Sequence, residues 1–258
     1  MAKNWTAIVL AAGRGPNDPM AKAYGVSHKC ALPVNGVPML RRVVNALQKS
    51  QSIASIAISI ESPAIVREAL AEKESGIAVI ASESSAPLSA IVAIRRNSTF
   101  PVLVTTADHA LLTPEMVDYF CEQAERNSAD FSAGLALAEV IMKAYPQSVR
   151  TFFRFGTDRV SGCNLFAITN ENGLRILEKW QFLEQSRKKP WRLVAAFGLL
   201  ALIRFAAGAL SLDGAFKVAS NKLGLTAKPV LMPFAEAAID VDKPPDLELA
   251  EAILKLRN

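Results

Sequence analysis

The sequence predicts an α/β fold in which helices cover both faces of a mostly parallel central sheet. Short, apolar, β-branched runs alternate with helical patterns along the chain. Alternation of this kind indicates parallel strands, because each crossover helix returns the chain to the same edge of the sheet. With 258 residues, 51% of them hydrophobic, the chain fits a single domain with a large core.

Seven runs have the composition of strands. They span residues 7–12, 53–60, 77–81, 102–106, 131–138, 164–169 and 227–232. Helical patterns occur at 38–49, after the Ser62-Pro63 pair, at 88–96, from Thr113-Pro114-Glu115 to about 127, and at 245–256. Ser62 and Thr113 each precede a proline, which suits a helix start because the hydroxyl can accept from a free backbone N–H.

Residues 140–229 differ from the rest of the chain. Between positions 141 and 192 there are ten Lys and Arg residues against four Asp and Glu residues, and apolar helix candidates follow. A strand and a helix of the core type then resume near the end of the chain. We therefore predict one domain over residues 1–258, with 140–229 as a helical insertion or lid.

Charge and cysteine content narrow the class of protein. The net charge of +5 suits anionic substrates but is too modest to indicate a nucleic-acid-binding protein. Cys30, Cys121 and Cys163 are far apart and the chain has two histidines, so a zinc site is not expected. The odd cysteine count favours a cytoplasmic location, and the first residues have no signal-peptide pattern.

One apolar segment, residues 193–212, is long enough to span a bilayer. Arg204 lies inside it and would be costly at a bilayer centre, so we expect a buried or surface-lying helix. The segment follows the basic run Arg187-Lys188-Lys189-Pro190-Trp191-Arg192. Basic residues and a tryptophan beside an apolar helix can bind a membrane surface peripherally; the alternative is a solvated turn before a core helix.

The first predicted strand ends in Gly13-Arg14-Gly15, and Lys29 follows after a longer loop. Glycine lets backbone N–H groups approach an anion closely, so this turn suits a polyphosphate. Asp18 stands where a dinucleotide fingerprint has its third glycine, and no Gly-Lys-Ser/Thr of a P-loop follows. An ordinary strand-to-loop turn is the alternative interpretation.

Carboxylates that could bind a cation lie in two other parts of the sequence. Asp108 comes just after the strand at 102–106, at the edge where open α/β sheets bind ligands, and suits Mg²⁺ beside substrate phosphates. Asp240 and Asp242 alternate in an extended segment, which points both to one side, where a cation would relieve their repulsion. The alternatives are a helix cap at Asp108 and a solvated acidic turn at 240–242. His109 is expected to be a turn residue.

Three segments together resemble the MobA-like nucleotidyltransferases. They read LAAGRG followed by HKCALPVNGVPML, then VLVTTADHALLTPEMV, and finally AIDVDKPPDLELAEAIL. The resemblance covers the N-terminal half and about the last thirty residues. It implies a three-layer, Rossmann-like fold of the GT-A type, and transfer of a nucleoside monophosphate from CTP or GTP to a phosphorylated sugar, alcohol or cofactor precursor with release of pyrophosphate.

The resemblance also implies roles for individual residues. The catalytic residues would be Arg14, Lys29 and Asp108. Mg²⁺, or Mn²⁺ in its place, would bind Asp108 with Asp240 or Asp242. The nucleotide would contact Leu10, Ala11, Ala12, Gly13, Arg14, Gly15, Lys29, Ser82, Pro87, Ser89 and Asp108, with Ser89 reading the base. The loop from 16 to 28 is longer than the family pattern, and the insertion at 140–229, which would bind the acceptor, matches no family acceptor pattern.

Two rival functions share this fold. A GT-A-like glycosyltransferase would use a nucleotide sugar, and a regulatory module would bind a nucleotide without turnover. The intact set of Lys29, Asp108 and the acidic pair argues against the second, and the glycine turn, suited to a triphosphate, argues against the first. For a phosphorylated acceptor, the candidate ligands are Arg150, Arg154 and Arg159. The sequence does not determine the oligomeric state.

Overall fold

The computed structural model describes residues 4–13, 17–71, 76–97, 99–184 and 198–257. Within these residues, eight strands form one central sheet. They are β1 (Trp5–Leu10), β4 (Ile53–Ile60), β5 (Ile77–Ala81), β6 (Val102–Thr106), β7 (Phe131–Leu137), β8 (Phe153–Phe155), β9 (Asp158–Ile168) and β10 (Ala227–Leu231). A small antiparallel pair, β2 (Pro33–Val34) and β3 (Val37–Pro38), lies outside it.

The sheet is mostly parallel, as the sequence predicts. Its strand order is β10-β7-β9-β6-β1-β4-β5. Neighbouring strands are parallel except around β9, which runs antiparallel to β6 and to β7, and β8 forms a hairpin with β9. The carboxyl ends of β1, β4 and β6 therefore meet at one edge of the sheet.

Helices cover both faces of the sheet. In chain order they are α1 (Pro19–Ala23), α2 (Met39–Lys49), α3 (Pro63–Leu70), α4 (Ala86–Asn97), α5 (Pro114–Asn127), α6 (Ala138–Ala144), α7 (Leu174–Glu184), α8 (Leu199–Ala206), α9 (Leu212–Leu223) and α10 (Pro244–Arg257). Thr113 caps α5 by accepting the Met116 N–H at 3.3 Å. Ser62 stands at the cap position of α3, but its side chain makes no capping bond.

The alternation of side chains along β1 separates the two faces of the core. Ala7 and Val9 pack in a cluster with α2, α3 and α5, whereas Ile8 packs in a second cluster with α4 and α7. Successive residues of a strand point to opposite faces, so a buried strand supplies both clusters. This gives the predicted three-layer arrangement.

The region 140–229 contributes to the sheet itself. Strand β9 begins at Asp158, six residues before the predicted start, and lies between β6 and β7. Its pairing with β7 is irregular between Ala133 and Leu135, where a bulge on β9 carries Asn164 at a φ of 49°. A bulge interrupts strand alternation, which explains why the sequence predicted only the second part of this strand.

The described part of the apolar segment 193–212 contains helix α8 and the first residue of α9. Helix α8 has no buried residue, and Leu199, Leu200 and Ile203 are exposed, so it lies on the surface. The basic run at 187–192 and residues 193–197 lie outside the described residues. Across the part of the chain that the structure describes, no helix is sufficiently long and apolar to cross a membrane.

Candidate active site

Three strand ends place the first side chains of the site. Gly13 follows β1, Glu61 follows β4 and Asp108 follows β6, at the edge where the carboxyl ends meet. The Ala107 N–H donates to Leu10 O at 3.0 Å, which joins the first and third of these loops directly. Ligands of open α/β sheets bind at this edge, as the sequence analysis expected.

Gly13 lies against the ring of His28. A Cβ atom at position 13 would overlap the His28 Nε2 and Cε1 atoms, so only glycine fits here. The His28 Nε2 atom lies 2.8 Å from Glu61 Oε1, and the Gly13 N–H also donates to that oxygen at 3.4 Å. Because His28 Nδ1 accepts the Cys30 N–H, Nε2 is the nitrogen that donates to Glu61.

His28 also begins the short helical turn, Lys29–Ala31, that positions Lys29. The Lys29 Nζ atom donates to Asp108 Oδ2 at 2.8 Å and to Asp242 Oδ1 at 2.5 Å. Thr106 donates to the other Asp108 oxygen at 2.6 Å. Three segments that are distant in sequence thus converge on one ammonium group.

The charges of this group stabilise one another. Burial opposes the ionisation of Asp108, but the Lys29 charge and the bonds from Lys29 and Thr106 outweigh it and lower the pKa of Asp108. Burial likewise opposes the charge of Lys29, yet Asp108 and Asp242 raise its pKa above the ordinary value. Both groups are therefore charged at neutral pH.

Asp240 and Asp242 have different partners. Asp242 bonds to Lys29, whereas Asp240 bonds to the Arg150 guanidinium and to the Asn164 amide. Burial and the nearby charges of Asp108 and Asp242 raise the pKa of Asp240, while Arg150 acts against them. The surroundings of Asp240 therefore disfavour its ionised form.

The Arg150 side chain is 8% exposed and is bound by two carboxylates of the site, those of Asp240 and Asp246. It does not project into solvent as the acceptor hypothesis requires. Arg159 lies over the Phe152 ring at 5.1 Å, and Arg154 donates to Gly156 O. Asp108, Asp240, Asp242 and Asp246 form an acidic cluster. Of the three arginines, Arg154 and Arg159 are the two that are not bound to it.

An open pocket of about 790 Å³ lies over this arrangement. Its wall includes Gly13, Lys29, Asp108, Asp242 and Lys243. The predicted residues Arg14 and Gly15 lie outside the described residues. Before them, Leu10 is half-buried, Ala11 is buried and Ala12 is exposed and also lines the pocket.

The predicted base-reading segment lies at the start of α4. Ser82 is half-buried and Pro87 is buried. The Ser89 hydroxyl is buried and accepts the Glu83 N–H at 2.8 Å, so it fixes the turn between β5 and α4. A base contact through this hydroxyl would compete with that bond, and the role of Ser89 stays a prediction.

His109 lies in the loop after β6 and is buried. Burial lowers its pKa to about 4, so its ring is neutral at neutral pH.

Carboxylate oxygens are the donors that Mg²⁺ and Mn²⁺ prefer. Among the described side chains, no three acidic, His or Cys groups converge closely enough to bind a metal ion unaided. Asp108 and Asp240 influence each other electrostatically, and two carboxylates with substrate phosphates suffice for Mg²⁺. The residues present therefore fit a metal that binds together with a substrate.

Sequence reasoning missed several residues of this site. Glu61 was discoverable, because it directly follows a predicted strand at the same edge of the sheet. Thr106 and His28 are neighbours of identified residues. Asn164 and Asp246 had no local signal, since their importance arises from contacts with Asp240 and with the 240–243 turn.

The N-terminal half of the chain matches a known family. The model of the MobA-like NTP transferase domain matches residues 7–142. A hypothetical transferase from Thermus thermophilus has a similar structure, with a TM-score of 0.80 and 26% identity over 95% of this chain and 99% of its own. No curated protein gives a match.

Two further structures share the fold. A CMP:2-keto-3-deoxy-manno-octonic acid synthetase in complex with CTP aligns with a TM-score of 0.60 and 12% identity, over 99% of this chain and 100% of its own. The 4-diphosphocytidyl-2C-methyl-D-erythritol synthase of Anaerococcus prevotii aligns with a TM-score of 0.62 and 13% identity, over 98% of this chain and 99% of its own.

Proposed function

Because this chain belongs to the MobA-like NTP transferase family, we propose that its pocket binds an NTP and transfers the nucleotidyl group to a phosphorylated acceptor. The observation that carries the proposal is the position of Lys29, whose ammonium bonds to Asp108 and Asp242 in the wall of the pocket. A cation beside carboxylates at the carboxyl edge of a parallel sheet can receive phosphates and orient them.

The proposed reaction needs no general base. An acceptor phosphate oxygen attacks the α-phosphorus, the bond between that phosphorus and the bridging oxygen breaks, and pyrophosphate leaves with the electron pair. Two anions must approach each other, so neutralisation of charge and positioning supply most of the catalysis. Lys29, with Arg14, would hold the triphosphate, and the N–H groups of the Gly13 turn would approach its oxygens.

Asp108 and Asp240 are the residues that would hold Mg²⁺ or Mn²⁺. The ion would supply a positive charge beside the α-phosphate. Asp242 is more exposed than Asp240 and bonds to Lys29, so it would orient the lysine. When the nucleotide binds, the Lys29 ammonium would exchange one of its two bonds to a carboxylate for a bond to a phosphate oxygen.

A narrower proposal concerns which nucleobase and which class of acceptor the protein binds. The CTP-bound synthetase and the diphosphocytidyl synthase are cytidylyl enzymes by name, so CTP is the first nucleotide to test and GTP the second. For the acceptor we propose a phosphorylated sugar, alcohol or cofactor precursor, bound by the segment 140–229. Arg154 and Arg159 are its candidate ligands, because neither bonds to the acidic cluster.

Pyrophosphate release tests the proposal. The purified protein would be incubated with each of the four NTPs, Mg²⁺ and a panel of phosphorylated sugars and alcohols. We expect pyrophosphate with one NTP, and only when an acceptor is present. Sugar transfer from a nucleotide sugar without pyrophosphate would instead support a glycosyltransferase, and nucleotide binding without any turnover would support a regulatory module.

A further inference from the structure

Asp240 is fixed by two donors from the segment 140–229. Arg150 bonds to an Asp240 carboxylate oxygen through Nη1 and to the Asp240 backbone carbonyl through Nη2, the latter at 3.2 Å. The Asn164 amide donates to the other carboxylate oxygen at 3.2 Å. Both oxygens of Asp240 therefore have a partner, which restricts the rotation of this carboxylate.

The position of Asn164 depends on an unusual backbone. Residue 164 has a φ of 49°, in the left-handed region that asparagine enters more easily than most residues. The bulge that contains it lies opposite Gly134, where a Cβ atom would come within 3.1 Å of the Leu165 Cβ. A bulge beside an active site redirects a side chain, and here it directs the Asn164 amide to Asp240.

Arg150 also links Asp240 to the first turn of α10. Its Nη2 atom donates to Asp246 Oδ1 at 2.9 Å. The other Asp246 oxygen accepts the N–H groups of Asp242 and Lys243 at 3.2 and 2.9 Å. The Arg150 guanidinium thus connects the turn that carries Asp240 and Asp242 to Asp246, in the first turn of α10.

We propose that Arg150 and Asn164 are positioning residues that hold the Asp240 carboxylate in the orientation needed to bind the metal ion with Asp108. This rests on the proposed function, since it assumes that Asp240 is a metal ligand. Partners of this kind orient a ligand without touching the metal, and their loss typically weakens metal binding or activity about 10- to 100-fold.

Manganese binding provides the test, because it is measured without turnover. Because the ion is expected to bind together with a substrate, the EPR signal of free Mn²⁺ would be titrated in the presence of a non-hydrolysable CTP analogue, with wild-type protein and the variants Asp240→Asn, Asn164→Gly and Arg150→Lys, and compared with a protein-free titration of the analogue. Asn164→Gly removes the amide but permits the left-handed backbone, so the fold is retained. Arg150→Lys keeps the charge but lacks the fork that reaches two carboxylates. Asn172→Gly and Arg126→Lys, at exposed positions, are matched controls.

We expect Asn164→Gly to weaken Mn²⁺ binding about 10- to 100-fold and to lower kcat by a similar factor, with KM for the NTP nearly unchanged. The Mn²⁺ affinity of Arg150→Lys should lie between that of wild type and that of Arg150→Met, a further variant that lacks the charge. An Asn164→Gly protein with wild-type Mn²⁺ affinity and kcat would overturn the inference. If Asp240→Asn also bound Mn²⁺ normally, the metal role in the proposed function would fail with it. A wild type that binds Mn²⁺ but never releases pyrophosphate would contradict the proposed function alone.

Discussion

Lys29 Nζ donates a 2.8 Å hydrogen bond to Asp108 Oδ2, although the two residues are 79 positions apart in the chain. The bond joins the Lys29–Ala31 turn to the loop after β6 and places one positive charge in the wall of the pocket. Removing one member of a partly buried pair leaves the other charge without its partner, which costs more than the pair itself contributes. Function and local stability are therefore coupled at this bond.

Replacement of the lysine should weaken nucleotide binding and turnover. We expect Lys29→Met to lower kcat/KM for the NTP about 100- to 1,000-fold, because a donor aimed at the phosphates is lost. Isothermal titration calorimetry should show a matching loss of NTP affinity. Lys228→Met, at an exposed position of β10, is the matched control and should behave as wild type. Equal NTP affinity in the two variants would remove Lys29 from the nucleotide site.

Gly13 should be intolerant of any side chain. Since a Cβ atom there overlaps the buried His28 ring, Gly13→Ala should lower the free energy of unfolding by about 1–3 kcal/mol, measured by urea denaturation. Gly162→Ala is the control, because a Cβ atom there meets nothing within 4 Å. In a His28→Ala background the cost of Gly13→Ala should fall below about 0.5 kcal/mol. An unchanged cost would show that the His28 contact is not the cause.

The fold could be predicted from the sequence where a strand is a continuous apolar run with β-branched residues. The bounds of β4, β5 and β6 match the predicted runs, although β5 lies at the edge of the sheet and is only partly buried. Strand β9 was predicted only in part, because Gly162 and Asn164 interrupt its pattern at the bulge. Helices α7 and α9 were not predicted individually and fall within the insertion predicted at 140–229, although α7 packs on α4 of the core.

The sequence predicted those residues of the candidate site that stand near strand ends or in a recognisable turn. Lys29, Asp108 and Asp242 do converge, as expected from strand ends and a turn. The contacts of Arg150 and Asn164 with Asp240 were not predictable, because Arg150 lies in a loop and Asn164 on a bulge, and neither stands at the end of a predicted strand. A local motif contains no information on such pairs, and only the folded chain brings them together.

His109 should make the protein sensitive to mild acid. Its folded pKa of about 4 lies below the ordinary value, so the unfolded state takes up the proton first as the pH falls. Stability is thus complete above about pH 6.5 and falls toward pH 4, by about 3 kcal/mol in total. In urea titrations His109→Gln should show a shallower loss over this interval. A variant with the same pH slope as wild type would contradict this.

Removal of metal should stop catalysis without unfolding the protein. We expect EDTA to abolish pyrophosphate release and added Mg²⁺ or Mn²⁺ to restore it, because the approaching anions need a further positive charge. Far-UV circular dichroism should not change, since the Lys29 and Arg150 ion pairs remain in place. Full activity after chelation would count against the metal roles of Asp108 and Asp240.

The most direct measurement compares pyrophosphate release by Asp108→Asn and by Asp213→Asn. Both variants lose one carboxylate charge, but Asp213 is an exposed residue at the start of α9, away from the pocket. With the NTP and acceptor that wild type uses, Asp108→Asn should lose at least about 100-fold in kcat, and Asp213→Asn should equal wild type. Retained turnover in a folded Asp108→Asn protein would contradict the assignment of this pocket as the nucleotidyl-transfer site.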